Sequence, residues 1–144
     1  SMLSQGIAPH FLCTSVLGVI GQRLLRTLSP VSRVPMDMSA APEIFSEVRQ
    51  YLPKDSGTTI YAANDDEPDG GYIGRTGVFE IMKITPRIRA ALVAYEPAGT
   101  IAAKAIEEGM LDFRRAALIK VAQGITSFDE MSRVVPSGET WVDE

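Results

Sequence analysis

Between Val78 and Ile84 the chain runs apolar and rich in β-branched and aromatic residues, the pattern of a short buried strand. Four glycines, Gly70, Gly71, Gly74 and Gly77, stand before it and predict a turn. Thr85-Pro86 suits a helix N-cap followed by the first helical position, so the strand is expected to hand over directly to a helix. The helical spacing then persists in four segments. The first runs from Pro86 to about Tyr95 with Ile88, Leu92 and Tyr95 inward, and Glu96-Pro97 ends it. The second takes Thr100 as N-cap and stops at Gly109, and the third starts at Asp112, carries Phe113, Ala117, Leu118 and Val121 on one face, and ends at Gly124. The fourth opens on the capping box Ser127-x-x-Glu130 and ends before Pro136, leaving a tail with Trp141 as its anchor candidate.

The first half of the chain is less regular. Phe11, Leu12, Val16, Val19 and Ile20 recur near helical spacing and predict a helix over about residues 9–21, weakened by Gly18 and Gly21. From Gln22 an alternating pattern suits a strand, although Leu17, Leu24, Leu25 and Leu28 would also suit a longer helix. Residues 29–42 hold three prolines and several serines, the composition of a loop. Glu43 to Leu52 reads as an amphipathic helix entered through Pro42, with Ile44, Phe45, Val48, Tyr51 and Leu52 inward. Thr58 to Ala62 reads as a strand, and Asn64 to Asp69 as an acidic loop leading into the glycines.

The 144 residues suit one ordinary domain, or a small domain carrying pieces of another. A net charge of -4, with 14 basic residues scattered along the chain, argues against a nucleic-acid partner. No apolar run approaches the ~20 residues of a spanning helix, and no secretory signal pattern is present. One cysteine, Cys13, excludes an internal disulfide and a thiolate cluster within one chain, which fits a reducing compartment. Ser1-Met2 reads as an expression remnant, and the chain from Leu3 as part of something longer.

Few residues carry obvious chemistry. There is no Gly-x-x-x-x-Gly-Lys-Ser/Thr phosphate loop, and the glycines at 70–77 precede a strand instead of following one, so they are no dinucleotide fingerprint. His10, the only histidine, reads as a surface or helix-end residue, and Cys13 as a small buried hydrophobe. The acidic loop Asp65 to Asp69 lacks calcium-loop spacing and is interrupted by Pro68, so solvation is the expected fate of its carboxylates. Arg23, Arg26 and Arg75 are candidates for contacts to phosphate or to a neighbouring subunit, with ordinary salt bridges as the simpler alternative.

Three blocks taken in order resemble a known family. They are Gly18-Val19-Ile20-Gly21-Gln22-Arg23-Leu24-Leu25-Arg26-Thr27-Leu28, then Gly71-Tyr72-Ile73-Gly74-Arg75-Thr76-Gly77-Val78-Phe79-Glu80-Ile81, then Glu108-Gly109-Met110 with Gly124-Ile125-Thr126-Ser127-Phe128-Asp129-Glu130. Over about residues 5–135 the chain resembles the C-terminal part of the bacterial type II secretion and type IV pilus assembly ATPases. The resemblance implies an α/β (α+β) fragment: edge strands of a RecA-like ATPase sheet, a small inserted subdomain, and a C-terminal helical subdomain. Residues 1–28 would be the end of the ATPase core, 29–71 the insertion, 72–84 the returning core strand, 85–136 the helical subdomain and 137–144 a tail. Arg23 to Leu28 and Gly77 to Ile84 would then pair in one sheet.

The departure from that family is informative. Members with the metal subdomain carry two Cys-x-x-Cys pairs, which fall here on Ser29 and Ser32 and on Asn64 and Glu67. Hydroxyls and an amide do not replace thiolates on zinc. The expectation is therefore no metal, with the insertion held by Ile44, Phe45, Val48 and Leu52 packed on the strand around Ile60. The resemblance further implies a parent that uses ATP and Mg, forms a homo-hexamer, and lies in the cytoplasm peripheral to the inner membrane. Its partners would be the rest of its own ATPase domain, neighbouring subunits and cytoplasmic parts of inner-membrane secretion or pilus proteins. This region itself is expected to be non-catalytic and without cofactor; the alternatives are a free-standing interaction module of the same descent and an enzyme built around the acidic loop. A last expectation is an exposed strand edge or apolar sheet face, and a cost of ~3 kcal/mol or more for Phe79→Asp if Phe79 is buried.

Overall fold

A computed structural model describes residues 5–8 and 14–136 of the chain. His10, Cys13, residues 9–13 of the expected helix over 9–21, and the tail with Trp141 lie outside the described residues. The fold is mixed α+β, and lying wholly within the described residues are two small antiparallel sheets, one 3₁₀ helix and four α-helices. The elements are β1 (Gly18–Leu28), β2 (Val34–Asp37), the 3₁₀ helix (Pro42–Tyr51), β3 (Thr59–Ala62) and β4 (Tyr72–Lys83), followed by α1 (Pro86–Val93), α2 (Ala98–Glu107), α3 (Phe113–Ala122) and α4 (Phe128–Val134).

Strands β1 and β4 pair as the family resemblance requires, and β2 pairs with β3. The expected helix over 9–21 is corrected at its end: Gly18 to Gly21 already belong to β1. Val19 and Ile20 are β-branched and the two glycines are poor helix formers, so pairing with β4 wins over helical spacing. The glycine turn is likewise shorter than expected. Gly70 and Gly71 make the turn with positive φ, whereas Gly74 and Gly77 lie inside β4. The expected loop 29–42 contains β2, whose Pro35 is tolerated because the pair is only two strands wide. Its register sets Val34 opposite Ala62 and Met36 opposite Ile60.

One compact unit comprises residues 22–79 and 113–137. Its core joins Leu25 and Val78 of the β1–β4 pair to Phe45, Val48 and Ile60 of the insertion and to Ala117, Leu118, Val121 and Met131 of α3 and α4. The insertion therefore packs on α3 as well as on its own strand. The amphipathic segment winds as a 3₁₀ helix instead of an α-helix, and at three residues per turn Phe45 and Val48 fall on one line facing the core. Ile44 and Tyr51, expected inward, are exposed, and Leu52 is partly buried against the core. Two glycines make close approaches here. A Cβ on Gly71 (φ +82) would stand 2.5 Å from the Asn64 main-chain nitrogen, and one on Gly57 (φ +87) would stand 2.7 Å from the Phe45 ring. The Ser29 N–H donates to the Gly71 carbonyl at 2.9 Å, closing the stem of the insertion.

The other unit holds residues 80–112 with the N-terminal 21 residues. Ile84, Ile88, Ala91, Leu92, Ile101, Ala105 and Met110 form its core around α1 and α2. Thr85 caps α1, its hydroxyl accepting from the Ile88 N–H. The α1 helix closes on Tyr95, a non-glycine residue at φ 52, which is exposed and not inward as its spacing suggested. Thr100 is a correction too: α2 starts at Ala98 with Pro97 as N-cap, placing Thr100 inside the first turn. The four helices after Thr85 are thus divided between two cores, α1 and α2 in one and α3 and α4 in the other.

The outer face of β4 remains apolar. Ile73 and Phe79 are 59% and 47% exposed, and Leu24 on β1 is 47% exposed. The Phe79 ring lies over Gly77, whose Cβ, if present, would meet it at 3.1 Å. Phe79 is therefore half covered and not buried, and Phe79→Asp should cost this chain about 1 kcal/mol, not the 3 expected for a core position. Phe45→Ala, by contrast, empties a fully buried site and should cost about 3–5 kcal/mol. Urea unfolding of the two variants checks the contrast, and equal losses would contradict this assignment of faces.

Candidate functional site

The outer edge of β1 meets the loop and helix that end the described chain. The Leu28 N–H donates to the Ile125 carbonyl at 2.9 Å, and the Thr126 hydroxyl donates to the Arg26 carbonyl at 2.7 Å. The expected open edge is closed here. Thr126 and Ser127 are buried, and Ser127 caps α4 by accepting from the Glu130 N–H at 3.1 Å. The capping box is only half formed, because the Glu130 carboxylate turns to β1 instead of back to the cap.

Glu130 is 1% exposed. Its Oε1 accepts from the Arg26 main-chain N–H at 2.9 Å and from Arg133 Nη2 at 2.7 Å. Its Oε2 accepts from Arg26 Nε and Nη2 at 3.0 and 2.9 Å and from Arg133 Nε at 2.9 Å. The Arg26 guanidinium also lies 4.2 Å above the Tyr72 ring, while the Tyr72 hydroxyl shares a 2.6 Å hydrogen bond with Ser127 Oγ. Burial pushes the Glu130 carboxyl up, but the hydrogen bonds from Arg133 and Arg26 outweigh it and hold the group down to about 2.

The three arginines singled out in the sequence do not form one cluster. Arg23 donates from Nη1 to the Val134 carbonyl at 3.0 Å and lies 4.5 Å over the Phe113 ring. Arg26 is bound to Glu130 as above, and Arg75 stands exposed on β4 with no side-chain partner among the described residues. Arg133 and Glu130 were not foreseen as a site; the signal was their i, i+3 spacing on a capped helix. Arg33 was missed as well. It lies 3.7 Å over the Tyr61 ring and donates to the Gly124 carbonyl at 2.7 Å, and a Cβ on Gly124 (φ +74) would collide with both side chains.

The four positions matching the family's cysteines lie in two tight turns beside the insertion stem. Ser32 and Arg33 donate their N–H groups to the Ser29 carbonyl at 3.3 and 3.0 Å, and Glu67 donates to the Asn64 carbonyl at 3.2 Å. Ser29 is buried, Glu67 is exposed, and the buried Ser32 hydroxyl has no hydrogen-bond partner among the described residues. The donor set does not suit zinc: two hydroxyls, an amide and one carboxylate supply neither sulfur nor imidazole. Among the described residues no cluster of three His, Cys, Asp or Glu could hold a metal, and no helix is long and apolar enough to cross a membrane. No phosphate loop occurs in the 144 residues to cradle ATP with its Mg.

The Glu130 node yields a pH prediction. Its carboxyl titrates lower in the folded chain than in the unfolded one, so its contribution is full above the ordinary value of 4.5 and is lost as pH falls toward about 2. The shift corresponds to roughly 3 kcal/mol. Glu130→Gln should therefore be less stable than the parent at pH 7, with the gap closing between pH 4.5 and 2 in denaturant titrations. A gap independent of pH over that window contradicts the assignment.

Comparison with known proteins agrees with the arrangement. The family profile described as type II/IV secretion system protein matches residues 1–133. The chain is 36% identical over 131 residues to the type II secretion system protein E of Dickeya dadantii, covering 90% of this chain and 25% of that protein. It is 36% identical over 137 residues to the type IV pilus assembly ATPase PilB of Acinetobacter baylyi, covering 91% of this chain and 23% of that one. Against PilB of Pseudomonas aeruginosa it is 33% identical over 136 residues, 92% of this chain and 23% of the relative. The chain thus spans about a quarter of the length of the curated relatives it matches. With the matching profile covering nearly all of its residues, the chain belongs to the type II/IV secretion system protein family.

Proposed function

We propose that this region is a non-catalytic relay of an ATPase serving type II secretion or type IV pilus assembly, carrying movement from a motor domain to the helices after Thr85. The observation that carries the reading is the apolar outer face of the β1–β4 pair, with Leu24, Ile73 and Phe79 about half exposed. A sheet face of this composition is the kind another layer covers, and in this reading the layer is the remainder of the ATPase domain. Strands β1 and β4 are the natural route, since each continues from one compact unit into the other. The working oligomer is a ring of like subunits on the cytoplasmic side of the inner membrane, docked on cytoplasmic parts of secretion or pilus proteins.

The reading predicts a contrast between contexts. The 144-residue chain should turn over no ATP, and Phe79→Asp should leave its fold intact. In a longer polypeptide that includes a phosphate loop, the same substitution should lower ATP turnover by at least tenfold by undocking the sheet face. Unchanged turnover there would refute the relay. The insertion is read as metal-free, because its turns offer Ser29, Ser32, Asn64 and Glu67 in place of thiolates. Elemental analysis of purified protein should find no stoichiometric zinc, and chelator should leave the melting temperature unmoved; one zinc per chain would overturn this part.

A further inference from the structure

We propose that Arg26 and Arg133 form a carboxylate-binding fork that receives the acidic loop of a second copy of this chain; the inference rests on the oligomeric reading above. Each guanidinium spends Nε and Nη2 on Glu130, and each leaves Nη1 without a partner among the described residues. Their side chains are 43% and 58% exposed above a carboxylate that is itself fully buried. Two guanidiniums on one carboxylate leave a surplus of one positive charge. Asp129, exposed beside Glu130, forms no ion pair with either.

The surplus selects the ligand. One carboxylate neutralises it and matches the planar edge of a guanidinium. Glu130 and the Tyr72 ring already fix the orientation of Arg26, so little rotamer freedom remains to be lost on binding. The complementary surplus lies on the same chain. Asp65, Asp66 and Glu67 are exposed and form no ion pair among the described residues, and of the loop's carboxylates only Asp69 is tied to the main chain, accepting from the Gly71 N–H at 2.9 Å. A fork and an acidic loop that leave each other unpaired within one copy are the two halves of a head-to-tail contact, the kind that builds rings.

The test is sedimentation velocity of the full chain at low salt with two variants. Arg133→Gln removes half of the fork while Glu130 keeps its three hydrogen bonds from Arg26; Asp65→Lys with Asp66→Lys reverses the loop. The parent should associate with concentration, and either variant alone should weaken association at least tenfold. Mixed in equal amounts the two should recover a dimer of parental affinity that does not grow, because one copy brings an intact loop and the other an intact fork. Circular dichroism of each variant should match the parent. A chain that stays monomeric, or variants that associate like the parent, would overturn the fork; the second result leaves the relay reading standing, which the ATP-turnover contrast tests separately. Loss of association in the mixture as well would assign the effect to net charge and overturn it too. If added ATP or inorganic phosphate blocks association at matched ionic strength where glutarate does not, the ligand is a phosphoryl group and the carboxylate assignment falls.

Discussion

A carboxylate taken out of water must be compensated on every lone pair, and Glu130 meets that demand with five donated hydrogen bonds. The constraint fixes more than one side chain. Because one donor is the Arg26 main-chain N–H, the carboxylate reads the position of β1 along its axis, and a slip of β1 by one residue would leave a buried charge short of a partner. With Thr126 on the Arg26 carbonyl and Ile125 on the Leu28 N–H, the segment from Ile125 to Glu130 behaves as a side rail of β1. Leu25 and Leu28 are both buried, but only Leu25 belongs to the core with Val78, while Leu28 lies where Ile125 of the rail binds its N–H.

The insertion shows a different solution to a related problem. A segment of 43 residues between β1 and β4 needs its own internal bonds or a place in a larger core. Phe45, Val48 and Ile60 supply the second solution by joining Leu118 and Val121 of α3. Gly57, Gly71 and Gly124 are where backbone or ring approaches too closely for a Cβ, and all three have positive φ. The orphaned Ser32 hydroxyl is a small cost, about 1–3 kcal/mol at most, set against that packing. The insertion is thus held by apolar burial and by close approaches at its own Gly57 and Gly71 and at Gly124 after α3.

Local signals were legible wherever one physical cause dominated. Thr85-Pro86, Ser127 and Gly124 each mark a helix end through a single hydrogen bond or a single backbone conformation, and each stands where the residues said. Positions decided by long-range partners were not. Val19 and Ile20 are equally good on a helix face or a strand, and only β4 settles the choice. Pro35 hid β2, because a proline argues against a strand until an edge is available to hold it. Ile44, Tyr51 and Tyr95 were assigned inward on α-helical spacing, but the first two sit on a 3₁₀ helix and the third in the left-handed turn that stops α1. Glu130 was visible as a cap partner, yet its role depends on Arg26, 104 residues away in sequence. Local pattern cannot rank one arginine above another.

The apolar run of β4 carries a further consequence. Val78 points into the core and Phe79 outward, so the run read as a short buried strand is buried on one face. Ile73 and Ile81 extend the outward set along the same strand, at 59% and 52% exposure. A free-living surface strand would alternate apolar with polar residues, and at Arg75 and Lys83 β4 does so. Between them the outward positions are Gly77, Phe79 and Ile81, and the edge of the Phe79 ring stands 3.1 Å from where a Cβ on the glycine would be. The aromatic side chain thereby shields backbone while keeping about half of its surface open. Gly77, Phe79 and Ile81 thus leave an apolar stretch between Arg75 and Lys83, and on the relay reading proposed above it is where a second layer would rest.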